Sequence, residues 1–263
     1  MRALNQKDEM ATYQKKANKS KKDNSIEALE KESTTAGVFN TLDEQASRTE
    51  AWVAKNQKYI LGVVGIAVIG ILGYLGYTEF IQKPKEIEAA NEISMAVSYF
   101  EEAQNSTVSS DSLYGLALNG GGGKYGFVDI ADRYNGTKTA NLAQYYAGIS
   151  YLNLKDYENA IKYLEQFSSD DLLLTALAFG NIGDAFSELE QYKDALSYYE
   201  KAFNKNPNNL TTPLYLFKAG LTAKELGDSD TANKYFKRIK DDYPNSLQAN
   251  QVDILIAELE AKS

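Results

Sequence analysis

The stretch with the most evident potential for chemistry is a run of four glycines followed by lysine, at residues 120–124. Glycine-rich loops that end in lysine can cradle a phosphate group, because backbone N–H groups then approach the phosphate oxygens closely. The spacing here fails that pattern, since Leu118 stands where the first glycine belongs and Tyr125 replaces the Ser or Thr that would bind magnesium. We therefore predict a flexible loop at this place rather than a nucleotide site.

The side chains that most enzymes need are missing from the chain. Its 263 residues include no cysteine and no histidine, which removes disulfides, thiolate metal sites and the commonest general base. Residues 79–263 hold 17 Lys and Arg against 27 Asp and Glu, so this part also lacks the positive charge that nucleic-acid binding requires. We predict a protein that is not an enzyme and has no cofactor, metal, nucleic acid or small-molecule substrate.

From about residue 141 the chain repeats a two-helix unit, which is the element able to position an interaction surface. The pattern resembles the tetratricopeptide repeat, a helix pair of about 34 residues. The alanines of the three second helices, Ala160, Ala195 and Ala232, stand 35 and 37 residues apart. In the second unit the residues that carry the likeness are Phe179, Ile182, Gly183, Phe186, Ala195, Tyr199 and Pro207.

The small residues of the repeats predict how the helices pack. Gly148, Gly183 and Gly220 should lie where the first helix of each pair crosses the second, because a larger side chain would push the pair apart. Such units cannot bury their apolar faces alone, so they should stack into an all-α solenoid. A final helix beginning at Leu247 would close the stack, and the side chains available for its burial are Val252, Ile254, Leu255 and Leu259.

Repeats of this kind usually bind partners on the concave surface formed by their first helices. Those that grip a C-terminal carboxylate use Lys, Arg and Asn there, whereas this surface is aromatic, aliphatic and acidic and would better suit an extended apolar segment or a folded partner. The alternative is that Tyr145, Ile149, Phe217 and Leu221 only pack between helices. The predicted partner-binding groove consists of Tyr145, Ile149, Asn153, Asp184, Ser187, Glu188, Phe217, Leu221, Lys224 and Glu225.

Residues 59–78 are apolar and contain no charge. As a helix these residues span about 30 Å, the thickness of the hydrocarbon core of a bilayer. The segment lies too far from the N-terminus to be a signal peptide, and no small-x-small cleavage site follows it. We predict one transmembrane helix that anchors the chain in a lipid bilayer.

The charges beside this segment predict its orientation. Arg48, Lys55 and Lys58 precede it closely, and Lys83 and Lys85 follow it. Because positive charge is retained in the cytoplasm, this bias favours a cytoplasmic N-terminus and a C-terminal domain on the other side. The reversed topology, with the repeats in the cytoplasm, remains the alternative.

The N-terminal part is polar, and we predict a disordered cytoplasmic tail over residues 1–40. Thr41 and Glu44 fit a capping box, so a juxtamembrane amphipathic helix is predicted over residues 41–58, continuing into the span. One face of the span is rich in glycine, which would let another membrane helix dock closely, unless these glycines merely reflect the composition of membrane helices. They are Gly62, Gly65, Gly70, Gly73 and Gly76.

Three regions follow the span. A linker helix and a degenerate helical pair are predicted over residues 79–139, the three repeats over residues 140–245, and a capping helix over residues 246–263. Spacings of three and four residues predict the buried face of the linker helix, which consists of Ile87, Ala90, Ile93, Ala96, Val97 and Phe100.

This order of parts resembles the YfgM-like family of single-pass, ancillary subunits of the bacterial Sec translocon. The likeness covers residues 41–263, and residues 118–167 look most like the versions found in Bacteroidota. The resemblance implies an inner-membrane protein with a periplasmic repeat domain. It also implies two partners, the Sec channel and a periplasmic chaperone of the PpiD type, which together receive emerging envelope proteins.

We therefore predict a membrane-anchored periplasmic tetratricopeptide scaffold that serves protein transport through protein–protein interaction. Its groove would bind a chaperone or an emerging envelope protein. The alternative is a scaffold that organises the envelope for cell division or outer-membrane assembly.

Overall fold

The computed structural model describes residues 34–261, in which all regular structure is helical. A π-helix, Thr78–Gln82, joins the first two α-helices. The α-helices are α1 (Thr34–Tyr77), α2 (Lys83–Asn105), α3 (Ser110–Asn119), α4 (Phe127–Arg133), α5 (Lys138–Asn153), α6 (Tyr157–Gln166), α7 (Leu172–Glu188), α8 (Tyr192–Lys205), α9 (Thr211–Glu225), α10 (Ser229–Asp242) and α11 (Ala249–Glu260).

Helix α1 is 44 residues long and contains the apolar segment. It is already helical at Thr34, the first described residue, so the predicted start at Thr41 is wrong. The capping-box sequence Thr41–Glu44 lies within this helix and does not begin it. The rest of the predicted disordered tail lies outside the described residues. Among those described, one helical stretch, Gln45–Asn105, is long and apolar enough to cross a membrane.

Helix α2 buries one of its faces in a core that it shares with α3, α4 and α5. Ile93, Ala96 and Phe100 lie on that face, as predicted, and Val97 packs against it, but Ala90 is exposed and Ile87 is 63% exposed. The buried positions also include Ala89 and Ala103, at helical spacings of three and four from the others. Ile87 is two residues from Ala89, so it falls outside this stripe.

The start of α2 is fastened to the loop that precedes α5. The Glu86 carboxylate accepts hydrogen bonds from the backbone N–H groups of Lys138 (2.6 Å) and Thr139 (2.9 Å), at the N-terminus of α5. Partial burial raises the pKa of Glu86, but the bonds from the Thr139 side chain and the two N–H groups outweigh it, and the net pKa is lowered. An anion at this end also complements the helix dipole.

The glycine-rich loop closes as a tight turn. Gly121 and Lys124 form an isolated backbone bridge, and Gly120 has a φ of 87°, which L side chains rarely adopt. The Lys124 ammonium group lies 2.7 Å from Glu92 of α2. The lysine thus helps to fasten the turn to the preceding helix.

The three predicted repeats are the antiparallel pairs α5–α6, α7–α8 and α9–α10. At Gly148, Gly183 and Gly220 an added Cβ would lie 2.4, 2.7 and 2.4 Å from side-chain atoms of Leu164, Tyr199 and Phe236, respectively. These side chains belong to the second helix of the same pair, so the predicted role of the three glycines at the helix crossings is confirmed.

The turns inside the three pairs share one backbone geometry. Lys155, Glu190 and Gly227 each adopt a positive φ, of 62°, 57° and 75°. The left-handed conformation is strained for Lys and Glu because of their Cβ atoms, and it is relaxed for glycine. The side chains of Asp156 and Asp228 then cap the second helices of the first and third pairs.

Helix α11 covers the last repeat, but with a different face from the one predicted. Val252 and Leu259 are buried as expected, and Ile256 joins them. Ile254 is 76% exposed and Leu247 lies outside the helix, which begins at Ala249, so the prediction of a helix from Leu247 that buries Ile254 is wrong. Among the described helices α11 packs mainly against α10, and the side of α11 that carries Ile254 remains at the surface.

Candidate interaction surface

The helix pairs form a groove of about 700 Å³. It crosses all three repeats, because its walls come from the end of α5, the end of α7 and the middle of α9. Five of the ten predicted groove residues line it: Asn153, Asp184, Ser187, Glu188 and Leu221. Six further lining residues were missed: Leu152, Lys155, Tyr157, Tyr199, Lys218 and Thr222.

A charged network joins three helices at the base of the groove. The Lys218 ammonium group of α9 donates to both carboxylate oxygens of Asp184 in α7, at 2.6 and 2.7 Å. The Tyr199 hydroxyl of α8 donates to the same carboxylate at 2.8 Å. Because Asp184 already neutralises Lys218, this lysine is not a free cation for a ligand carboxylate.

Tyrosine ionisation is suppressed in this network. Burial raises the pKa of Tyr199 far above its usual range, and the charge of Asp184 and the hydrogen bond to it add to the effect. Burial also raises the pKa of Tyr215, and the negative charge of Asp184 adds to the effect. Both hydroxyls therefore remain protonated donors or acceptors at physiological pH.

The lining of the groove is balanced in charge. Tyr157 donates a hydrogen bond of 3.0 Å to the Glu188 carboxylate, which links the first repeat to the second. Lys155 and Lys218 are the lining cations and Asp184 and Glu188 the lining anions. This balanced and mainly polar lining, with Leu152 and Leu221 in its walls, favours a weakly charged partner segment over a strongly charged one.

The other five predicted residues lie elsewhere or pack against neighbours. Tyr145 contacts the rings of Tyr146 and Phe167, with centroids 6.0 and 5.1 Å away, and Phe217 contacts Phe236 at 6.0 Å. Three residues complete the set. Ile149 packs between two apolar clusters, Lys224 pairs with Glu258 of α11 at 2.8 Å, and Glu225 is exposed at the end of α9. A partner-binding role for these residues stays a prediction.

Two of the six missed residues carry a signal that the sequence does contain. Asp184 and Lys218 are 34 residues apart, and Tyr157 and Glu188 are 31 apart, so each pair is separated by about one repeat. Complementary polar residues at the repeat spacing face each other because neighbouring repeats stack in register. Searching for such pairs would have found Lys218 and Tyr157.

The five glycines proposed for helix docking lie along α1 with open space beside them. At Gly62, Gly65, Gly70, Gly73 and Gly76 an added Cβ would meet no side chain within 4 Å. This leaves room for another helix to approach, and docking at this face stays a prediction.

Comparison with known proteins agrees with the geometry of the repeats. Family models described as tetratricopeptide repeat match residues 142–170, 176–209 and 215–246. A search of curated proteins gave no match. Each matched segment overlaps one of the three helix pairs, so the chain contains three tetratricopeptide repeats. Such repeats are generally non-catalytic scaffolds for protein–protein interaction.

Proposed function

We propose that this chain is a membrane-anchored scaffold that holds a partner protein in the groove of its tetratricopeptide repeats. The observation that supports this most strongly is the presence, on one chain, of an apolar helix able to cross a bilayer and of an interaction groove lined by all three repeats. The anchor would keep the groove, and whatever it holds, at a membrane.

The groove supports an apolar or weakly charged partner segment. Its cations and anions are equal in number, and Lys218 is already paired with Asp184. Leu152, Leu221 and the ring of Tyr157 offer apolar surface between the polar groups. Emerging or unfolded envelope proteins present segments of this kind, as do the docking surfaces of chaperones.

We further propose that the partners belong to protein export. The order of tail, span and repeats resembles the YfgM-like subunits, and the charges of Arg48, Lys55 and Lys58 favour a cytoplasmic N-terminus. The repeats would then lie in the periplasm, beside the Sec channel and a PpiD-type chaperone. The glycine face of α1 would dock on a neighbouring membrane helix.

The experiment is site-specific photo-crosslinking in living cells, with the photoreactive residue at Leu221 in the groove. Mass spectrometry of the adducts should recover channel subunits, a membrane-anchored chaperone or several unfolded envelope proteins. Ser197, which is exposed on α8 and does not line the groove, is the matched control position.

The outcomes separate the functional classes. Adducts from division or outer-membrane assembly proteins at Leu221 would replace the export assignment with the envelope-organising one. Equal adducts at Leu221 and Ser197, or none at Leu221, would contradict binding in the groove.

A further inference from the structure

The two junctions between successive repeats can be compared residue by residue. The first junction consists of the side-chain contacts between α6 and α8, and the second of those between α8 and α10. In the first, the Tyr198 hydroxyl donates to Glu165 at 2.7 Å. In the second, the Tyr235 hydroxyl donates to Glu200. The same bond therefore marks equivalent positions in both junctions.

An aromatic side chain fills the second junction. Phe203, in the last turn of α8, is 3% exposed and lies 5.5 Å from the Tyr235 ring, with 65° between the ring planes. The Arg238 guanidinium lies 5.4 Å from the centre of the Phe203 ring. Tyr235, covered in this way, is 8% exposed.

The first junction lacks this ring. The position 35 residues before Phe203 is Ser168, and α6 ends at Gln166 with 10 residues, whereas α8 and α10 have 14. The backbone after Gln166 turns away, where Ser168 exchanges hydrogen bonds with Asn141 of α5 at 2.7 and 2.9 Å. The last turn that would fill the junction is therefore absent.

A cleft of about 590 Å³ opens in its place. Its floor is apolar and contains Leu164, Phe167, Phe179 and Ile182. Tyr198, the equivalent of Tyr235, is only half-buried at its edge. This cleft does not share a single lining residue with the concave groove.

The rim of the cleft adds a charge preference. Lys201 and Lys205 line it against one carboxylate, Glu165, which is already bonded to Tyr198. The Lys201 ammonium group lies 3.9 Å from the centre of the Tyr198 ring, whereas its counterpart in the next repeat, Arg238, lies beside Phe203. In a chain of net charge −8, this rim has more cations than anions.

We propose that this cleft is a second protein-binding site, which accepts an aromatic side chain flanked by acidic residues in a segment of a partner protein. The partner ring occupies the position that Phe203 occupies in the second junction, against Tyr198. Lys201 stacks on it, and Lys205 pairs with a neighbouring carboxylate of the partner.

The test uses the full-length protein in detergent and a fluorescein-labelled peptide, Gly-Ser-Asp-Phe-Glu-Ser-Gly, with binding followed by fluorescence anisotropy. Replacing the peptide phenylalanine by alanine, or its acidic residues by lysine, should weaken binding by about tenfold or more, because ring burial or charge pairing is lost. Equal binding of the phenylalanine and alanine peptides would overturn the proposal.

Variants locate the site. The double variant Lys201→Glu with Lys205→Glu should weaken binding of the acidic peptide by about tenfold or more. It should also improve binding of the phenylalanine peptide that is flanked by lysines. The matched control is Lys193→Glu with Lys234→Glu, which makes the same change in net charge at exposed positions away from the cleft. If the control pair weakens binding as much as the cleft pair, the effect is one of net charge and the proposal is wrong.

A filling variant tests the shape of the cleft without a change of charge. Ser168→Phe places a ring on an exposed residue that lines the cleft, and it should compete with the peptide and reduce binding by about tenfold or more. Unchanged binding by a folded Ser168→Phe variant, with helicity confirmed by circular dichroism, would contradict the cleft as the site. Photo-crosslinking at Leu221 tests the groove and not this cleft, because Leu221 lines the groove. The failure of one proposal can therefore be distinguished from the failure of the other.

Discussion

The first and second repeat junctions are built from equivalent helices, yet one is open and the other is closed. Phe203 seals the second junction against Tyr235, whereas Ser168 leaves Tyr198 at the edge of a cleft. The tyrosine–glutamate bond is the same in both, so the bond alone does not close a junction. What closes it is one aromatic side chain in the last turn of the second helix, and this difference separates a structural contact from a candidate binding surface.

Opening the second junction should have the largest effect. Phe203→Ser removes a buried ring, and we expect the free energy of unfolding to fall by roughly 3–5 kcal/mol, as for other buried phenylalanine truncations. Denaturant titration of the full chain measures the change. The variant for comparison, Phe167→Ser in the first junction, removes a half-buried ring and should lower the free energy of unfolding by a smaller amount. Equal costs would show that the two junctions are equally packed.

Crowding α7 against α9, the first helices of the second and third repeats, should have the next largest effect. A Cβ added at Gly180 would lie 2.0 Å from the ring of Tyr215, which is 3% exposed and has no room to move. Gly180→Ala should therefore lower the free energy of unfolding by about 1–3 kcal/mol. The control is Gly115→Ala in α3, where a Cβ meets nothing within 4 Å, and it should be neutral or stabilising. A neutral Gly180→Ala would mean that α7 and α9 can separate freely.

Alkaline titration should distinguish the tyrosines of the two junctions. Burial, with the bond to Glu165, raises the pKa of Tyr198 to about 12, and burial with the bond to Glu200 raises the pKa of Tyr235 well above its usual range. Because the pKa of Tyr198 is higher in the folded protein, its protonated hydroxyl stabilises the fold at pH values below the ordinary pKa of 10.0. This stabilisation is lost as the pH rises towards 12.

The difference in tyrosinate absorbance between the wild type and Tyr198→Phe gives the titration of Tyr198. Glu165→Gln should shift it towards lower pH, but only in part, because burial is the larger cause. An unchanged titration of Tyr198 in Glu165→Gln would contradict the bond to Glu165, and titration at the ordinary pKa in the wild type would contradict its burial.

The turns within the repeats should show the smallest effect. Glu190 adopts a φ of 57°, where the third repeat has Gly227. Glu190→Gly should raise the free energy of unfolding by about 0.5–1 kcal/mol, because it removes a Cβ from a left-handed residue. The reciprocal change, Gly227→Ala, should lower it by a similar amount. Thermal melting of both variants measures these two changes. If Glu190→Gly destabilises the protein, the turn tolerates the glutamate side chain without strain.

Much of the repeat domain was predictable because its signals are local. Glycines and alanines at repeat spacing identified the helix pairs, and contacts such as Gly148 with Leu164 agree with the predicted crossings. Local signals were less reliable at the ends of the domain. The capping helix shows its apolar residues on more than one face, so its sequence alone did not indicate that Ile254 would be exposed.

The candidate surfaces were predicted less completely than the fold. Asp184 and Leu221 line the groove as expected, but Lys218 was missed because its partner is on another helix, 34 residues away. Tyr145 and Phe217 were placed on the groove by their position in the repeat, and their contacts with Phe167 and Phe236 became visible only in the packed domain.

The sequence by itself determined the all-helical class, the apolar segment at residues 59–78 and the three repeats, because each follows from periodicity or composition along the chain. Tertiary structure decided which polar groups neutralise one another in the groove and which junction stays open. Those outcomes depend on distances between helices that stack one repeat apart. Because α6 ends early, no ring from the first repeat fills the cleft beside Tyr198, which contacts Phe179 and Phe186 of its own repeat.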